Sequence, residues 1–259
     1  MYEELYAPIP DIDAYLERIG LTRKELIPNK ESLSRLIRAH LLSVPFENLD
    51  VWAAGEAPSL ATADIFDKVV ARRRGGYCFE LNSLFHRLLC ALGFDAYMCS
   101  AYVMMNKDFL PTPSHCVTIC VIDGEKYLCD VGLGAAMPFY ALPFFGEARD
   151  EFYIEREGEY FAVYTPVGRT TMFRDIAVQP VDLIPPNYHI SQLPTSPFRI
   201  NPVLRLAFID GSVSVMGKEF KLRRGGTVLE KKISTEEELR RIIDEYFDIP
   251  LENLKLKQI

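Results

Sequence analysis

Hydrophobic residues in the first ninety positions recur at the spacing of amphipathic helices. One stripe runs from Asn29 to Pro45, and a clearer one follows Cys78 and ends at Gly93, a residue suited to a helix C-terminus. This part of the chain is predicted to be a helical domain, residues 1–90, with Cys78 at the start of its clearest helix. The buried stripe of that helix consists of Leu81, Leu84, Phe85, Leu88, Leu89 and Leu92.

From Phe94 onward the hydrophobic period changes to two, which is typical of β-strands. The runs "HCVTICVIDGEKYLCDVG" and "VLRLAFIDGSVSVMG" alternate in this way, and each is divided by an Asp-Gly pair of the kind that turns a hairpin. The pattern predicts an antiparallel domain over residues 91–190. A third part, residues 191–259, ends in the helix "ISTEEELRRIIDEYF", where Ser234 and Glu237 have the spacing of a capping box. The fold class that follows is α+β.

Composition narrows the classes of protein. The chain has 259 residues, 49% of them hydrophobic, a formal charge of −7 and six cysteines. The negative charge argues against general nucleic-acid binding, and no apolar run approaches the roughly 18 residues of a membrane span. The N-terminal segment "MYEELYAPIPDIDAYLERIG" lacks the apolar centre of a secretion signal. We therefore expect a cytoplasmic protein with free thiols and with neither nucleic-acid nor membrane partners.

Cys78 occupies an unusual place in the predicted helix. It follows the pair Gly75-Gly76 and lies in or just before the first helical turn. Unpaired backbone N–H groups and the helix dipole favour an anion there, and therefore a thiolate. At an exposed site the dipole contributes only about 0.3 to 1 kcal/mol, which is less than one pKa unit. A reactive cysteine at this position needs a second partner, such as an imidazolium.

A predicted hairpin brings one histidine beside a carboxylate. If Asp123-Gly124 is a two-residue turn, His115 and Asp130 lie on the same face of the hairpin as diagonal neighbours. Their α-carbons are then roughly 7 to 8 Å apart, a distance that long side chains bridge. An aspartate next to a histidine fixes the imidazole tautomer and favours the charged ring, as a Cys–His pair requires. Cys78, His115 and Asp130 are therefore a candidate catalytic triad.

The three other histidines favour different interpretations. His40 falls on an apolar helical stripe and His86 on the next helix, as packed or surface histidines do, while His189 lies in a segment expected to be irregular.

The alternative for the triad is structural, with the cysteine in the core, the histidine bonded locally and the aspartate ending a strand. No Cys-x-x-Cys pair occurs, and Cys116 and Cys120 alternate away from His115 along the strand, so no metal is expected.

Four motifs occur in an order that resembles the arylamine N-acetyltransferase family. The later stretch "NYHISQLPTSPF" is similar to the start of that family's third domain, so the resemblance spans most of the chain and weakens toward the C-terminus. Each motif alone is moderately specific for this family, and the occurrence of all of them in the family's order makes the resemblance stronger. The four are "VPFENLD" (44–50), "RGGYCFELN" (74–82), "SHCVTI" (114–119) and "YLCDVGLG" (127–134).

The resemblance implies a helical domain, a central antiparallel β-barrel and a C-terminal α/β lid, with a cysteine-protease-like Cys-His-Asp triad. It implies that Cys78 is the nucleophile, that His115 is its base and that Asp130 orients His115. The implied reaction is a ping-pong transfer, in which the cysteine takes an acetyl group from acetyl-CoA and passes it to an arylamine, hydrazine or N-hydroxyarylamine. Acetyl-CoA is then a co-substrate, CoA a product, and no metal takes part.

Other motif positions carry expectations of the same kind. Arg74 and Glu47 match family positions and are expected to pair and to brace the turn before the nucleophile. Gly132 and Gly134 are expected to let the cofactor or acyl group approach the backbone closely. Leu133 stands where many family members have an aromatic ring that contacts the acceptor. This departure leaves the preferred arylamine open.

Alternative functions use the same residues. An amide synthase of a biosynthetic pathway would use the same triad to close a ring. A thiol hydrolase of the papain-like or transglutaminase-like kind has the same order of cysteine, histidine and aspartate. A non-catalytic relative that kept the fold is the third alternative. The contexts "RGGYC" and "DVGLG" favour the transferase.

Overall fold

The computed structural model describes residues 2–105, 107–134 and 137–250, together with residues 252, 254, 256 and 257. Three short 3₁₀-helices and two π-helical turns occur in this part of the chain, the latter at Asp50–Ala54 and Asp67–Ala71. The 3₁₀-helices are Glu3–Leu5, Arg23–Glu25 and Pro180–Leu183. The α-helices are α1 (Ile12–Arg18), α2 (Lys30–Ser43), α3 (Thr62–Phe66), α4 (Cys78–Ala91), α5 (Ile184–Gln192), α6 (Pro197–Ile200) and α7 (Glu236–Phe247).

The strands form two antiparallel sheets, one of seven strands and one of five, within the same described residues. They are β1 (Phe46–Glu47), β2 (Asp95–Val103), β3 (His115–Ile122), β4 (Glu125–Cys129), β5 (Leu142–Pro143), β6 (Tyr153–Glu157), β7 (Tyr160–Thr165), β8 (Gly168–Val178), β9 (Val203–Phe208), β10 (Gly211–Met216), β11 (Glu219–Arg224) and β12 (Thr227–Lys232).

The N-terminal helices begin at side-chain caps and bury the predicted apolar stripe. The Asp11 carboxylate accepts a hydrogen bond from the Ala14 amide (3.0 Å), and the Asn29 side chain accepts one from the Ser32 amide (2.8 Å). Five of the six stripe residues of α4 are 0% exposed, and Leu92 is partly buried beyond the helix end. Because α4 packs against β2 and β3, this helix joins the helical part to the first sheet.

The seven-stranded sheet has the order β5-β4-β3-β2-β8-β7-β6, and its two edge strands lie near each other, so it is a nearly closed barrel. Asp123 (φ +53°) and Gly124 (φ +81°) form the predicted two-residue turn between β3 and β4. Ile122 pairs with Glu125, as the predicted register requires. The interior of the barrel is a separate apolar cluster that includes residues of β2, β3, β4, β7 and β8.

The second sheet has the order β1-β9-β10-β11-β12, with α7 packed on one face. Its strand β1 comes from the helical part of the chain and pairs with β9, so the N-terminal and C-terminal parts of the chain meet in this sheet. The predicted α+β class, with a helical part, an antiparallel barrel and a C-terminal sheet with a helix, is confirmed. The division at residues 90 and 190 stays a prediction. Among the described residues, no helix is both long enough and apolar enough to cross a membrane.

Two local predictions were wrong. The N-cap of α7 is Thr235, whose hydroxyl accepts from the Glu238 amide (3.1 Å), while the Ser234 amide donates to the Glu238 carboxylate (2.9 Å). Ser234 and Thr235 both have a glutamate three residues later, so the spacing did not distinguish them. His189 lies in α5 and not in an irregular segment. The prolines before it fall in the first helical turn, where a missing N–H costs little.

Candidate active site

Cys78 is the first residue of α4, and the turn before it is tightly packed. Only 3% of Cys78 is exposed, and its thiol lies 3.7 Å from the Ser114 carbonyl oxygen. The Tyr77 amide, just before the helix, donates to the Glu80 carboxylate at 3.1 Å. A Cβ at Gly75 would lie 2.0 Å from the Pro45 carbonyl oxygen, so only glycine fits there. The cysteine is therefore held at the N-terminus of a fixed helix.

His115 and Asp130 are in direct contact. The ladder between β3 and β4 follows the predicted register from Ile122 to Thr118, which pairs with Cys129, and the chains separate beyond that pair. His115 Nε2 lies 2.7 Å from Asp130 Oδ2, and both residues are buried. The Cys78 thiol interacts with the His115 side chain, and Nδ1 is the ring nitrogen that Asp130 leaves free. The structure thus brings the three predicted residues together in the expected order.

The charge state of His115 is set by these two neighbours. Burial alone would lower the pKa of this imidazole, because it disfavours the charged ring. The charge and hydrogen bond of Asp130, together with the contact to Cys78, outweigh burial and raise the pKa of His115 to about 10. At neutral pH the ring is therefore an imidazolium, the partner that stabilises a thiolate.

Asn82 completes the site and was missed from the sequence. Its side-chain amide donates to Asp130 Oδ1 (3.0 Å) and to the Cys116 carbonyl (2.7 Å), and its oxygen accepts from the Val131 amide (3.0 Å). The Gly132 amide adds a bond to Asp130 Oδ1 at 2.9 Å. Asp130 is thus held on one oxygen while the other faces the histidine. The sequence signal that could have identified Asn82 was its spacing, since it lies one helical turn after Cys78 and on the same face of α4.

Arg74 and Glu47 pair as expected, next to the glycine turn. The Arg74 guanidinium reaches Glu47 Oε1 through Nε (3.0 Å) and Nη2 (2.6 Å), and Nη2 also lies 2.9 Å from Asp50. Glu47 is 0% exposed, and its other oxygen accepts from the Leu49 amide (2.7 Å). These two carboxylates raise the pKa of Arg74 even though burial opposes its charge.

Lys68 and Glu80 extend this pair into a buried ionic cluster that the sequence did not reveal. Lys68 Nζ lies 2.8 Å from Glu80 and 2.7 Å from Asp50. Burial disfavours the ammonium, but the surrounding carboxylates raise its pKa. Burial would raise the pKa of Asp50, but Lys68 and Arg74 lower it to about 2. Because Glu80 also holds the Tyr77 amide, the cluster is connected to the turn that carries the nucleophile.

The loop after Asp130 packs closely on its surroundings. A Cβ at Gly132 would lie 2.9 Å from the Cys78 α-carbon, so the close approach at this glycine is to the nucleophile's own backbone. Gly134 has φ +67°, and a Cβ there would lie 2.9 Å from the Phe46 ring. Leu133 between them is buried, with 7% of it exposed. Gly132 therefore lies against the candidate triad, and Gly134 lies against Phe46.

The remaining histidines lie outside this site. His40 bonds Tyr15, His86 bonds the Ala96 carbonyl (3.1 Å), and His189 Nε2 lies 3.4 Å from Thr112. Within the described ranges, no group of histidine, cysteine and acidic residues has the arrangement of a metal site. The geometry provides a buried thiol, a charged imidazole and a carboxylate that bonds the imidazole, an arrangement suited to acyl transfer.

Comparisons with known proteins point to the same chemistry. A family model described as N-acetyltransferase matches residues 30–256. Human arylamine N-acetyltransferase 1 is 26% identical over 276 aligned positions, which cover 93% of this chain and 95% of that protein. The X-ray structure of a Mycobacterium smegmatis arylamine N-acetyltransferase variant is 27% identical with a TM-score of 0.85, covering 94% of both chains. The Mycobacterium marinum enzyme in complex with CoA is similar in fold, with 24% identity, a TM-score of 0.84, and 92% and 93% of the chains covered.

Proposed function

Since the chain belongs to the arylamine N-acetyltransferase family and is an acetyltransferase, we propose that it transfers acetyl groups by a ping-pong mechanism through an acetyl-Cys78 thioester. The donor is acetyl-CoA, and the acceptor is an arylamine, hydrazine or N-hydroxyarylamine. The observation that carries this proposal is the arrangement of three buried side chains, in which His115 lies 2.7 Å from Asp130 and interacts with Cys78. The Mycobacterium marinum relative of the same fold, solved in complex with CoA, supports the donor.

In the first half-reaction the Cys78 thiolate attacks the carbonyl carbon of acetyl-CoA. A bond forms between the cysteine sulfur and the acetyl carbon, and the bond from that carbon to the CoA sulfur breaks. The departing CoA thiolate takes the proton of the His115 imidazolium, so CoA leaves as a thiol. Asp130 holds the ring in place and stabilises its charge before the transfer. The step leaves a neutral imidazole next to an acetylated cysteine.

In the second half-reaction the amine attacks the acetyl-cysteine. A carbon–nitrogen bond forms, the carbon–sulfur bond breaks, and the amine gives one proton to His115, which restores the thiolate–imidazolium pair. An aromatic amine is mostly neutral at neutral pH and needs no prior deprotonation. The enzyme therefore contributes mainly position and one proton acceptor in this step.

The covalent intermediate is directly testable by intact-protein mass spectrometry after brief mixing with acetyl-CoA and no acceptor. The wild type is expected to gain one acetyl group and to lose it when an arylamine or hydrazine is added. Cys78→Ala is expected to gain none, because the attacking sulfur is missing. The matched control is Cys90→Ala, which removes an exposed thiol on the same helix and should still be acetylated.

Three outcomes contradict the proposal. Acetylation of the Cys78→Ala variant to the wild-type level would place the acceptor sulfur elsewhere. An acetyl-enzyme that discharges to water as fast with no amine as with one would indicate a hydrolase. No acetylation of the wild type would indicate a different acyl donor or an inactive relative.

A further inference from the structure

The peptide group between Gly76 and Tyr77, just before the nucleophile, is held at both of its polar ends. Its N–H group, on Tyr77, donates to Glu80 Oε2 at 3.1 Å, and its carbonyl, on Gly76, accepts from the Glu47 amide at 2.8 Å. A Cβ at Gly76 would lie 3.0 Å from the Glu80 Cβ and 3.1 Å from Oε2, so the Glu80 side chain lies directly on this peptide. Since Cys78 follows at once, the position of the peptide determines where the sulfur lies relative to the imidazole.

Lys68 is the cation that the acidic residues around this peptide share. Its Nζ lies 2.8 Å from Glu80 Oε1, 2.7 Å from Asp50 Oδ2 and 3.8 Å from Glu47 Oε1. Its backbone carbonyl accepts from the Arg74 amide at 3.0 Å, which joins the π-helical turn to the start of the glycine turn. The Arg74 side chain bonds Glu47 and Asp50, so Lys68 is the one cation bonded to Glu80 in the part of the chain that the structure describes.

Glu80 depends on this ammonium because it is buried among like charges. Only 2% of Glu80 and 5% of Lys68 are exposed. Burial raises the pKa of the Glu80 carboxyl, and the charges of Glu47 and Asp50 act in the same direction, whereas Lys68 opposes them through its charge and its hydrogen bond. Without Lys68, three carboxylates would be left with Arg74, and a buried charge that loses its partner is strongly destabilised. Glu80 would then leave the peptide or take up a proton.

We propose that Lys68 is a positioning residue for acetyl transfer, which acts through Glu80 to hold the Gly76–Tyr77 peptide and with it the sulfur of Cys78. This inference rests on the proposed function. Lys68 bonds the carboxylates of the ionic cluster, so its effect reaches the reaction through the position of the sulfur. A displacement of about 1 Å at a reacting atom costs on the order of 100-fold in rate. The effect therefore belongs to the acetylation step and not to the binding of acetyl-CoA.

The experiment compares Lys68→Gln, Glu80→Gln and the variant that carries both changes. The rate of Cys78 acetylation is measured by rapid-mixing mass spectrometry over a range of acetyl-CoA concentrations, which separates the limiting rate from the half-saturating concentration. Lys68→Gln is expected to lower the limiting rate by about 10- to 100-fold, with little change in the half-saturating concentration. Glu80→Gln is expected to lower it by only about two- to fivefold, because an amide oxygen still accepts from the Tyr77 N–H but more weakly than a carboxylate.

The double variant is the decisive member of this cycle. An uncharged amide at position 80 needs no cation, so we expect the double variant to be as fast as Glu80→Gln and faster than Lys68→Gln. This comparison with Glu80→Gln holds even if Lys68→Gln does not fold. The matched control is Arg72→Gln, which removes an exposed cation, paired with Asp67 at 2.7 Å, just after the same turn. It should acetylate at the wild-type rate.

A pH profile separates this role from a purely structural one. In Lys68→Gln the Glu80 carboxyl keeps Glu47 and Asp50 as neighbours and loses the cation, so its pKa should rise further toward neutral pH. Rising pH then ionises Glu80, and the acetylation rate relative to the wild type should fall. The double variant cannot titrate at position 80 and should follow the wild-type profile. The Tyr77 phenol also interacts with Glu80, but burial raises its pKa well above the ordinary value, so it does not titrate in this range.

Three results would overturn this assignment. Acetylation of Lys68→Gln at the wild-type rate would show that the reaction does not need Lys68. A double variant much slower than Glu80→Gln would mean that Lys68 serves Glu47 and Asp50 instead of Glu80. A raised half-saturating concentration of acetyl-CoA in Lys68→Gln, with an unchanged limiting rate, would assign the lysine to donor binding. Acetylation of wild-type Cys78 in each case would leave the proposed function standing, whereas no acetylation of the wild type would overturn the proposed function and this inference with it.

Discussion

His115 and His40 are both buried, with 1% and 0% exposed, and they differ in the groups that face them. Burial lowers the pKa of His40 to about 3, and the positive charge of Arg18 acts in the same direction. Its Nδ1 lies 2.7 Å from the Tyr15 hydroxyl, and its Nε2 has no hydrogen-bond partner among the described residues. At His115 the carboxylate of Asp130 reverses the effect of burial. A neutral partner leaves the buried ring neutral, and a charged partner makes it a cation.

The two histidines therefore affect stability in opposite pH ranges. His115 has a folded-state pKa of about 10, above its ordinary 6.5, so its contribution is complete below pH 6.5 and is lost as the pH rises toward 10. His40 has a folded-state pKa of about 3, below 6.5, so its contribution is complete above pH 6.5 and is lost as the pH falls toward 3. The proposed mechanism requires the first environment, since a charged imidazole is the partner that stabilises a thiolate.

The largest expected effect follows from making the surroundings of His115 resemble those of His40. Asp130→Asn keeps the size of the side chain and removes its charge, so the pKa of His115 should fall and the imidazolium should be lost. We expect the rate of Cys78 acetylation to drop by about 10³- to 10⁴-fold, measured by rapid-mixing mass spectrometry. The matched control is Asp123→Asn, in the turn of the same hairpin, where asparagine tolerates the positive φ of 53°.

An Asp130→Asn variant that acetylates at the wild-type rate would contradict the orienting role. So would a rate that falls equally in Asp123→Asn, because the loss would then belong to the hairpin as a whole. The ring signals of His115, followed by NMR against pH, give an independent measure. We expect the titration to move down from about 10 in the wild type, as the cause of the raised pKa is removed.

The contact between His115 and Asp130 was predictable because a two-residue turn determines the whole register of a hairpin. Once Asp123-Gly124 was identified, both residues had to lie on one face. The sequence pattern did not show that the ladder ends at Thr118, so that the contact between His115 and Asp130 forms beyond the last paired residues.

Asn82 and Lys68 show where prediction from sequence stopped. Helical spacing puts Asn82 on the face of Cys78, but its three hydrogen bonds go to strand β3 and to the loop after β4, which periodicity does not reveal. Lys68 lies in the π-helical turn Asp67–Ala71, and its burial depends on carboxylates from two other elements. Predicting either residue requires the tertiary arrangement, since each is stable in the interior only with those partners.

The next largest effect is expected at His40, in the pH dependence of stability. Between pH 7 and pH 5 the unfolded chain takes up a proton at this ring and the folded protein does not, so the free energy of unfolding should fall by about 2 kcal/mol from this residue alone. His40→Asn keeps a polar atom near the Tyr15 hydroxyl but cannot titrate. We expect urea unfolding to show that the wild type loses about 2 kcal/mol more than the variant over this pH range.

Other groups titrate in the same range, but they are present in both proteins and cancel in the difference. The same pH dependence in wild type and His40→Asn would mean that His40 is not held neutral. An NMR titration of the His40 ring in the wild type checks this directly and does not depend on how well the variant folds. No titration above pH 5 is expected.

The smallest effect is expected from the neutral partner itself. Tyr15→Phe removes the hydroxyl that bonds His40 Nδ1 and leaves a buried ring without a hydrogen-bond partner, which should lower the free energy of unfolding by about 1 kcal/mol at pH 7. Acetyl transfer should be unaffected, because Tyr15 and His40 do not contact the triad. Tyr188→Phe, at a residue that is 58% exposed, is the control and should change neither quantity. If Tyr15→Phe slowed acetylation as Asp130→Asn does, the two buried histidines would belong to one coupled network, and the contrast between them would be wrong.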